Sequence, residues 1–454
     1  MPETFPFKPN WSNALEVTLS CKTEIFTSRS GKEQRRALRS TPRRRVDFTS
    51  LAHQSDVVAF NRLVATKQNA DFLFPDWTRA AQSHGIASGA TFLSLRELAP
   101  EWVNTGRQVF LCDGDTLTPV TVASADAYTV ELTAPVTQDY SGATVLRPVY
   151  AGLLATISSN LNTSNTVSVN VSYDVTPGSV PNSANLFFPY VVDGKEVFSF
   201  PWNWGEAIGA EFAWSVENVD YDRGVITTHR PIDFGTVGQS ATVLRDDAYQ
   251  IDYMQRFIER QKGQLGEFWM PSGTEDMTLA ANISNGASAL TVAGIDIANG
   301  YGLSEVYKGV ALYLRDGRKV YRKIDGIIVS GGNSVMSVSA AFTFGITTGD
   351  IAKISWMRPA RFTSDEVSLE YLTDSVVQWQ TKTTTVSYGS DEQDYAEMDG
   401  AGNWAMDNWG EESEALMGAI DYMVNVALLF GDVANMQLGT FDDLINNELW
   451  EALG

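Results

Sequence analysis

Short runs of alternating apolar and polar residues, separated by glycine- and serine-rich turns, set the character of this chain. LEVTLSCKTEIF (15–26) has the period-two pattern of a half-buried strand, and SRSGKEQ (28–34) has the composition of a turn. EFAWSVENVDY (211–221) and DRG (222–224) take the same two roles later on. Helical spacing shows in two places. Val57, Phe60, Leu63 and Val64 predict a helix over 54–70. Ile251, Met254, Phe257, Ile258 and Leu265 predict another over 246–265. Each leads into an aromatic cluster ending in proline, FLFP (72–75) and FWMP (268–271).

These pairs belong to a longer series. FPFKPNW (5–11) is answered by FSFPWNW (198–204), and Glu24 stands as far from Trp11 as Glu217 does from Trp204. RRRVDF (43–48) matches HRPIDF (229–234), IASGATFLSL (86–95) matches ISNGASALTV (283–292), and VFLCDGD (109–115) matches LYLRDGR (312–318). Arg147-Pro148 and Arg358-Pro359 follow, and both series close on threonine/valine strands, TVSVNVSYDV (166–175) and TKTTTVSYG (381–389). A repeat of roughly 190–210 residues is far longer than a solenoid or propeller period, so each copy is a whole domain.

The middle of each copy has its own texture. SALTVAG (288–294), GVALYLRDGR (309–318) and SVMSVSAAF (334–342) read as short strands, and Asp113-Gly114 and Asp316-Gly317 as hairpin turns. Strands at this density predict a small β-sandwich or barrel inserted into the outer module. The expected fold class is mainly β with minor α. Two tandem copies of a β-rich core (strands plus one helix) each carry an inserted small β-domain, and an acidic, partly helical C-terminal segment follows.

The expected boundaries run in order along the chain. Residues 1–85 open the first core, 86–147 form the first insert, and 148–190 hold the closing strand and a Pro/Ser/Asn-rich linker. Residues 191–282 open the second core, 283–356 form the second insert, 357–388 close the copy, and 389–454 are the acidic docking segment. Within that last segment, 410–429 and 441–453 read as helices.

Composition narrows the function classes. With 454 residues the chain has material for several cores, and no apolar stretch reaches membrane-spanning length. The start MPETFPFKPNW lacks a basic, apolar leader, so a soluble, non-exported product is expected. Two cysteines, Cys21 and Cys112, are too few for a disulfide scaffold and read as small buried residues of a reducing compartment.

The net charge of −22 is uneven, because no lysine or arginine follows Lys382. Such a tail repels duplex phosphate and argues against ordinary DNA binding. The opposite pole is Lys32, Arg35, Arg36, Arg39, Arg43, Arg44 and Arg45, of which the second copy keeps Arg230. That cluster reads as a solvated loop, as a surface docking on acidic protein such as a neighbouring subunit's tail, or as a nucleic-acid contact. These eight basic residues, with Trp404, Trp409 and Trp450 of the apolar tail segments, are the candidate interface residues.

No catalytic, cofactor or metal residues are assigned. His53, His84 and His229 lack zinc spacing, and the nucleotide-binding and nucleophile-elbow glycine motifs are missing from the sequence. Asp391, Asp394 and Asp399 lack the glycine and terminal glutamate of a calcium loop. Trp11, Trp204, Trp214 and Trp269 are expected to pack in cores rather than bind sugars.

One stretch carries a resemblance. EIFTSRSGKEQRRALRSTPRRRVDF, followed by a helix and an aromatic-proline end, resembles the distal tail proteins of siphophages and gene transfer agents. Glu24, Ser30, Gly31, Glu33, Arg35, Arg44 and Phe48 fit that pattern, and Glu217, Gly224, Arg230 and Phe234 survive in the second copy. A family member usually has one such core, whereas this chain has two. The resemblance implies a non-enzymatic ring protein at the virion tail tip, assembled in the host bacterial cytoplasm between tail tube and central hub. The expected partners are copies of itself (a pseudo-sixfold trimer or a hexamer), the tube protein and hub proteins. Specific nucleic-acid binding and membrane contact are not expected. A receptor- or glycan-binding tail protein acting through the inserts is the alternative, and a tail-associated hydrolase needs a carboxylate pair across a cleft.

Overall fold

The computed structural model describes residues 3–28, 31–66, 71–100, 102–114, 116–142, 144–163, 165–178, 190–220, 222, 224, 226–230, 235–301, 304, 306–387 and 391–393. The chain divides into two compact units, Met1–Tyr395 and Ala396–Gly454, and the second lies outside the described residues. The expected helices at 410–429 and 441–453 therefore lie outside them too, as does most of the linker within 176–190.

The described unit is mainly β with minor α. The first half opens with β1 (Glu3–Thr4), β2 (Leu15–Ser20), β3 (Thr23–Thr27), β4 (Glu33–Ala37) and β5 (Arg43–His53). Helix α1 (Ser55–Thr66) leads to β6 (Asp71–Pro75) and β7 (Ala81–Gln82). Then come β8 (Phe92–Ser94), β9 (Gln108–Asp113), β10 (Thr116–Ala125) and β11 (Thr129–Leu132), and the half closes on β12 (Val145–Thr163) and β13 (Thr166–Val175).

The second half begins with the small hairpin β14 (Val191–Val192) and β15 (Lys195–Glu196). It continues through β16 (Gly209–Ala213), β17 (Glu217–Val219), β18 (Thr227–His229) and β19 (Thr236–Arg245) to helix α2 (Ala248–Gln261). Beyond β20 (Phe268–Pro271) stand β21 (Ala289–Val292), the short helix α3 (Asp296–Tyr301), β22 (Gly309–Leu314), β23 (Lys319–Ser330) and β24 (Asn333–Val338). The half ends with β25 (Ile351–Phe362), β26 (Glu366–Tyr371), β27 (Val377–Thr385) and β28 (Asp391–Gln393).

The local chemistry explains these elements. In β5 the alternation buries Arg44, Val46, Phe48, Ser50 and Ala52 and exposes or half-exposes the residues between them. Helix α2 starts where the Asp247 carboxylate accepts the Tyr249 N–H at 2.9 Å, and it stops where Lys262 turns left-handed at φ 49°. Gly263 follows at φ +70°, where a Cβ would come within 2.6 Å of Asp365 Oδ1.

Three larger apolar clusters hold the described unit together. The main one takes residues from both halves, among them Phe5, Phe74, Tyr173, Phe198, Phe257 and Trp379. Phe74 stacks on Tyr173 at 3.8 Å and Phe198 on Trp202 at 4.8 Å. A second cluster runs from Ala81 to Leu146 and a third from Met277 to Trp356, each confined to one of the glycine-rich middle segments. Both start a few residues before the expected boundaries at 86 and 283. The closing boundaries, 147/148 and 356/357, fall inside strands. Strand β12 pairs with β9 through Val145–Pro148 and with β6 through Val149–Leu153, and β25 likewise serves β22 and then β20. The middle segments thus share a continuous strand with the core instead of hanging from loops.

Backbone pairings recur between the halves. Thr4 pairs in parallel with Leu73, and Val197 bridges in parallel to Trp269. The N–H of Asn10 donates to Thr49 O at 2.7 Å, and that of Asn203 to Thr242 O at 2.8 Å. Each asparagine side chain then accepts the N–H two residues on, from Ser12 at 3.2 Å and from Gly205 at 3.1 Å. Aligned on these recurring bonds, two of the sequence matches fall at different places. Thr49 corresponds to Thr242, so the partner of RRRVDF lies in β19, and HRPIDF precedes it. Residues 231–234 of that hexapeptide lie outside the described residues. Tyr150 sits opposite Phe74 and Arg358 opposite Met270, so Arg147 and Arg358 are three positions out of step.

Candidate assembly interface

The strands of the two halves join in one antiparallel run. Its order is β12, β13, β5, β2, β26, β27, β19, β16, counting the distal half of β12. The halves meet at the β2–β26 pair, where Leu15 faces Tyr371, Val17 faces Leu369 and Leu19 faces Val367. All six side chains are buried. The hydroxyls of Thr18 and Ser368 lie 3.1 Å apart across the same junction. At the two ends of the run, among the described residues, β16 pairs only with β19 and residues 154–163 of β12 only with β13. Strand β16 is exposed throughout its length, and distal β12 is exposed except at Leu154 and Ile157, which are half-buried against the main core.

Beside the sheet junction, charged groups from opposite halves lock together. Arg35 is fully buried: its Nη1 donates to Leu265 O at 2.7 Å and its Nη2 to Glu267 Oε2 at 3.0 Å. Arg361 grips Glu33 with two hydrogen bonds of 2.7 and 2.8 Å. Arg44 is also buried and donates to Tyr150 Oη at 3.0 Å and to Glu259 Oε1 at 2.8 Å. Arg147 reaches Asp374 at 3.1 Å, and Arg79 reaches Asp252 at 2.9 Å. Asp365 accepts the N–H groups of Thr23 at 2.6 Å and Gln264 at 3.0 Å. These contacts fix the angle between the halves.

The basic cluster is therefore not one surface. Arg35 and Arg44 are internal struts, which corrects their expected role in docking. Arg45 forms a forked pair with Asp174, directly opposite on β13, at 2.9 and 3.3 Å. Arg39 is half-buried and donates to Ser20 O at 3.4 Å. Lys32, Arg36, Arg43 and Arg230 are exposed. Trp404, Trp409 and Trp450 lie outside the described residues. The backbone of Asp391–Gln393 pairs in parallel with Gln34–Arg36, so the first residues of the expected acidic segment run beside the basic strand.

Sequence reasoning passed over the acidic partners Glu259 and Glu267 and the basic partner Arg361, and it marked Glu33 only as part of the motif. Their signal was weak, because the sequence separations reach 328 residues and strand period alone shows which side chains turn inward. It also placed Trp204 and Trp214 in cores. Trp269 is fully buried, but Trp204 is 65% and Trp214 71% exposed, on either side of β16 in the sequence, and Phe212 within β16 is exposed as well.

For chemistry the described residues offer little. No cluster of His, Cys, Asp and Glu among them could hold a metal ion, and no helix among them is long and apolar enough to cross a membrane. Burial pushes the thiols of Cys21 and Cys112 up to about 11. The two best-formed concavities are shallow. One lies where β26 and β27 diverge, between Glu366–Glu370 and Trp379–Lys382. The other lies beside Trp102 and Arg107. No protein-family model matches the chain, and no curated protein matches it either.

Proposed function

We propose that this chain is a structural subunit of a phage-type tail tip, a distal-tail-like ring protein joining the tail tube to the central hub around the DNA exit channel. The observation that carries the reading is the recurrence of one hydrogen-bond register in two cores that sit side by side within a single antiparallel run. A tandem duplication accounts for it. Each copy is a strand-helix-strand core interrupted by a small β-domain with its own apolar cluster. Repeating the relation between one core and the next lays further cores about an axis, and a rotation that divides the full circle closes them into a ring.

Three chains then supply a pseudo-sixfold wall, which fits a sixfold tube to a threefold hub; six chains are the other closure. The locked polar seam suits such a part, because ring closure needs a fixed angle rather than a hinge. A net charge of −22 suits a channel from which DNA must slide freely. The ring would be built in the host bacterial cytoplasm and carried at the virion tail tip. The test is symmetry-analysed imaging of particles or of the purified assembly. The reading expects three full-length chains around the axis. An assembly without rotational symmetry, or a strongly positive lumen, overturns it.

A receptor- or glycan-binding role for the inserts has one observation in its favour: Phe92 and Tyr128 of the first insert are exposed aromatic residues. Glycan binding by the full chain that disappears in Phe92→Ala and Tyr128→Ala would support it. Trp102 and Trp356, the insert tryptophans, are buried and cannot serve as sugar platforms.

A further inference from the structure

We infer that the exposed edge of β16 in one chain pairs antiparallel with the distal half of β12 in the next. This would repeat between chains the β2–β26 junction that the structure contains within one chain. The inference rests on the tandem-core reading above and adds to it the partner, the strands and the register.

Strand positions in one half transpose onto the other. Glu16 pairs with Asp47 and Gly209 with Ser240, while Asn10 and Asn203 bond to Thr49 and Thr242. Strand β16 is thereby the counterpart of β2: Phe212 stands where Leu19 stands and Ile208 where Leu15 stands. On the other side, Thr49 faces Asn170 and Thr242 faces Gln380. Val167 then corresponds to Val377, and their hairpin partners, Leu161 and Tyr371, correspond to each other. Distal β12 is thus the counterpart of β26, with Ile157 in the place of Val367.

Carrying the β2–β26 register across sets Phe212 opposite Ile157, Glu211 opposite Ser158 and Ile208 opposite Leu161 of the neighbouring chain. The chemistry is complementary at each position. Phe212 is 56% and Leu161 77% exposed, whereas Leu19 and Tyr371, which they replace, are at most 2% exposed. Apolar side chains therefore meet apolar ones at both ends of the seam, a carboxylate meets a hydroxyl beside Phe212, and Ala210 meets Ser159 at the centre. Unpaired strand edges that carry large apolar groups are templates for pairing with another strand. Here both edges of one chain have the polarity that lets identical chains join head to tail.

The test is cross-linking of the full-length chain. Directly opposed residues of an antiparallel pair have Cα atoms roughly 4.5–5.5 Å apart, within disulfide reach. Glu211→Cys combined with Ser158→Cys should give, on mild oxidation at pH 8, a ladder of linked chains ending in a closed species. Glu211→Cys with Leu161→Cys should not, because those positions are out of register and on opposite faces. The native thiols, pushed up to about 11 by burial, stay protonated at that pH, and the parent chain serves as the blank.

Phe212→Asp should weaken assembly by about 30-fold or more without changing the circular dichroism or melting of the chain, because the residue packs only once chains meet. Two outcomes overturn this seam and leave the ring standing: the Glu211→Cys, Ser158→Cys chain assembles yet forms no disulfide between those two positions, or assembly is unchanged by Phe212→Asp. A chain that stays monomeric overturns both.

Discussion

Arg35→Met separates a structural strut from a docking residue. The native guanidinium is fully buried, with hydrogen bonds of 2.7 Å to Leu265 O and 3.0 Å to Glu267 Oε2, and the Glu267 carboxylate is itself fully buried. Methionine fills most of the volume, so the change removes charge and hydrogen bonds rather than opening a large cavity. Losing one partner of a buried ion pair typically costs about 3–5 kcal/mol, because the other charge stays buried and uncompensated. Lys195 Nζ remains 3.6 Å from Glu267 and offsets part of that loss. The lower end, about 3 kcal/mol, is the expected destabilisation.

Urea unfolding followed by tryptophan fluorescence reads it, within a double-mutant cycle that includes Glu267→Gln. The double variant should lose less than the sum of the singles, by at least about 1 kcal/mol, because either single change already breaks the pair. A docking residue behaves oppositely: the monomer melts normally and only assembly weakens. A variant within about 0.5 kcal/mol of the parent, the ordinary range for a surface change, refutes the strut. A strictly additive cycle also refutes it.

Three further outcomes are expected. Gly263→Ala should cost well over 1 kcal/mol, more than an ordinary left-handed glycine, because the new Cβ would meet Asp365 Oδ1 at 2.6 Å and Asp365 Cα at 2.9 Å; thermal melting checks this. Asp350 accepts the Thr347 hydroxyl at 2.7 Å and the Thr347 N–H at 2.8 Å, and these two bonds hold its carboxyl below the ordinary carboxylate range. Its contribution is therefore complete above the ordinary carboxylate value and is lost as pH falls through the lower, folded one. Side-chain carboxyl NMR should place its midpoint below that of an ordinary aspartate, and Thr347→Ala should raise it. Cys21 and Cys112 are half-buried, and with their thiols pushed up to about 11 they should react with an aromatic disulfide at pH 8 much more slowly in the native chain than after unfolding; equal rates in the two states contradict the raised values.

Much of the framework was legible because strand and helix periods are local. The alternation in RRRVDFTSLAH gives β5 its inward face, and the spacing of Ile251, Met254, Phe257 and Ile258 gives α2 its buried side. Register was less legible. HRPIDF resembles RRRVDF letter by letter, yet the bond from Asn203 to Thr242 assigns that place to β19. The boundaries expected at 147/148 and 356/357 lie at or near Pro148 and Pro359, and both prolines sit within long strands. The basic cluster misled for a similar reason. Charge adds along a sequence as though every residue faced water, whereas a strand turns alternate residues inward, and only the fold brings Glu267 to Arg35.

In the assembly proposed above, the junction within a chain and the one between chains face different demands, and their side chains differ accordingly. The partners at β2–β26 are tied together by one polypeptide, so their effective concentration is high and the seam can bury Tyr371 and Leu369 without the chain ever presenting them to solvent for long. The ends of the run must survive as free edges until chains meet. There the positions answering to Leu369 and Val17 hold Ser159 and Ala210, and Thr156, Ser158 and Asn160 keep the outer strand soluble. Polar and small residues lower the tendency of an edge to pair indiscriminately, and the few apolar positions retained, Phe212, Ile157 and Leu161, fix one register among the alternatives. Substituting Tyr for Leu161 and Leu for Ser159 should therefore strengthen chain-to-chain association while raising non-specific aggregation. A soluble variant with unchanged association would mean that this edge meets no other chain.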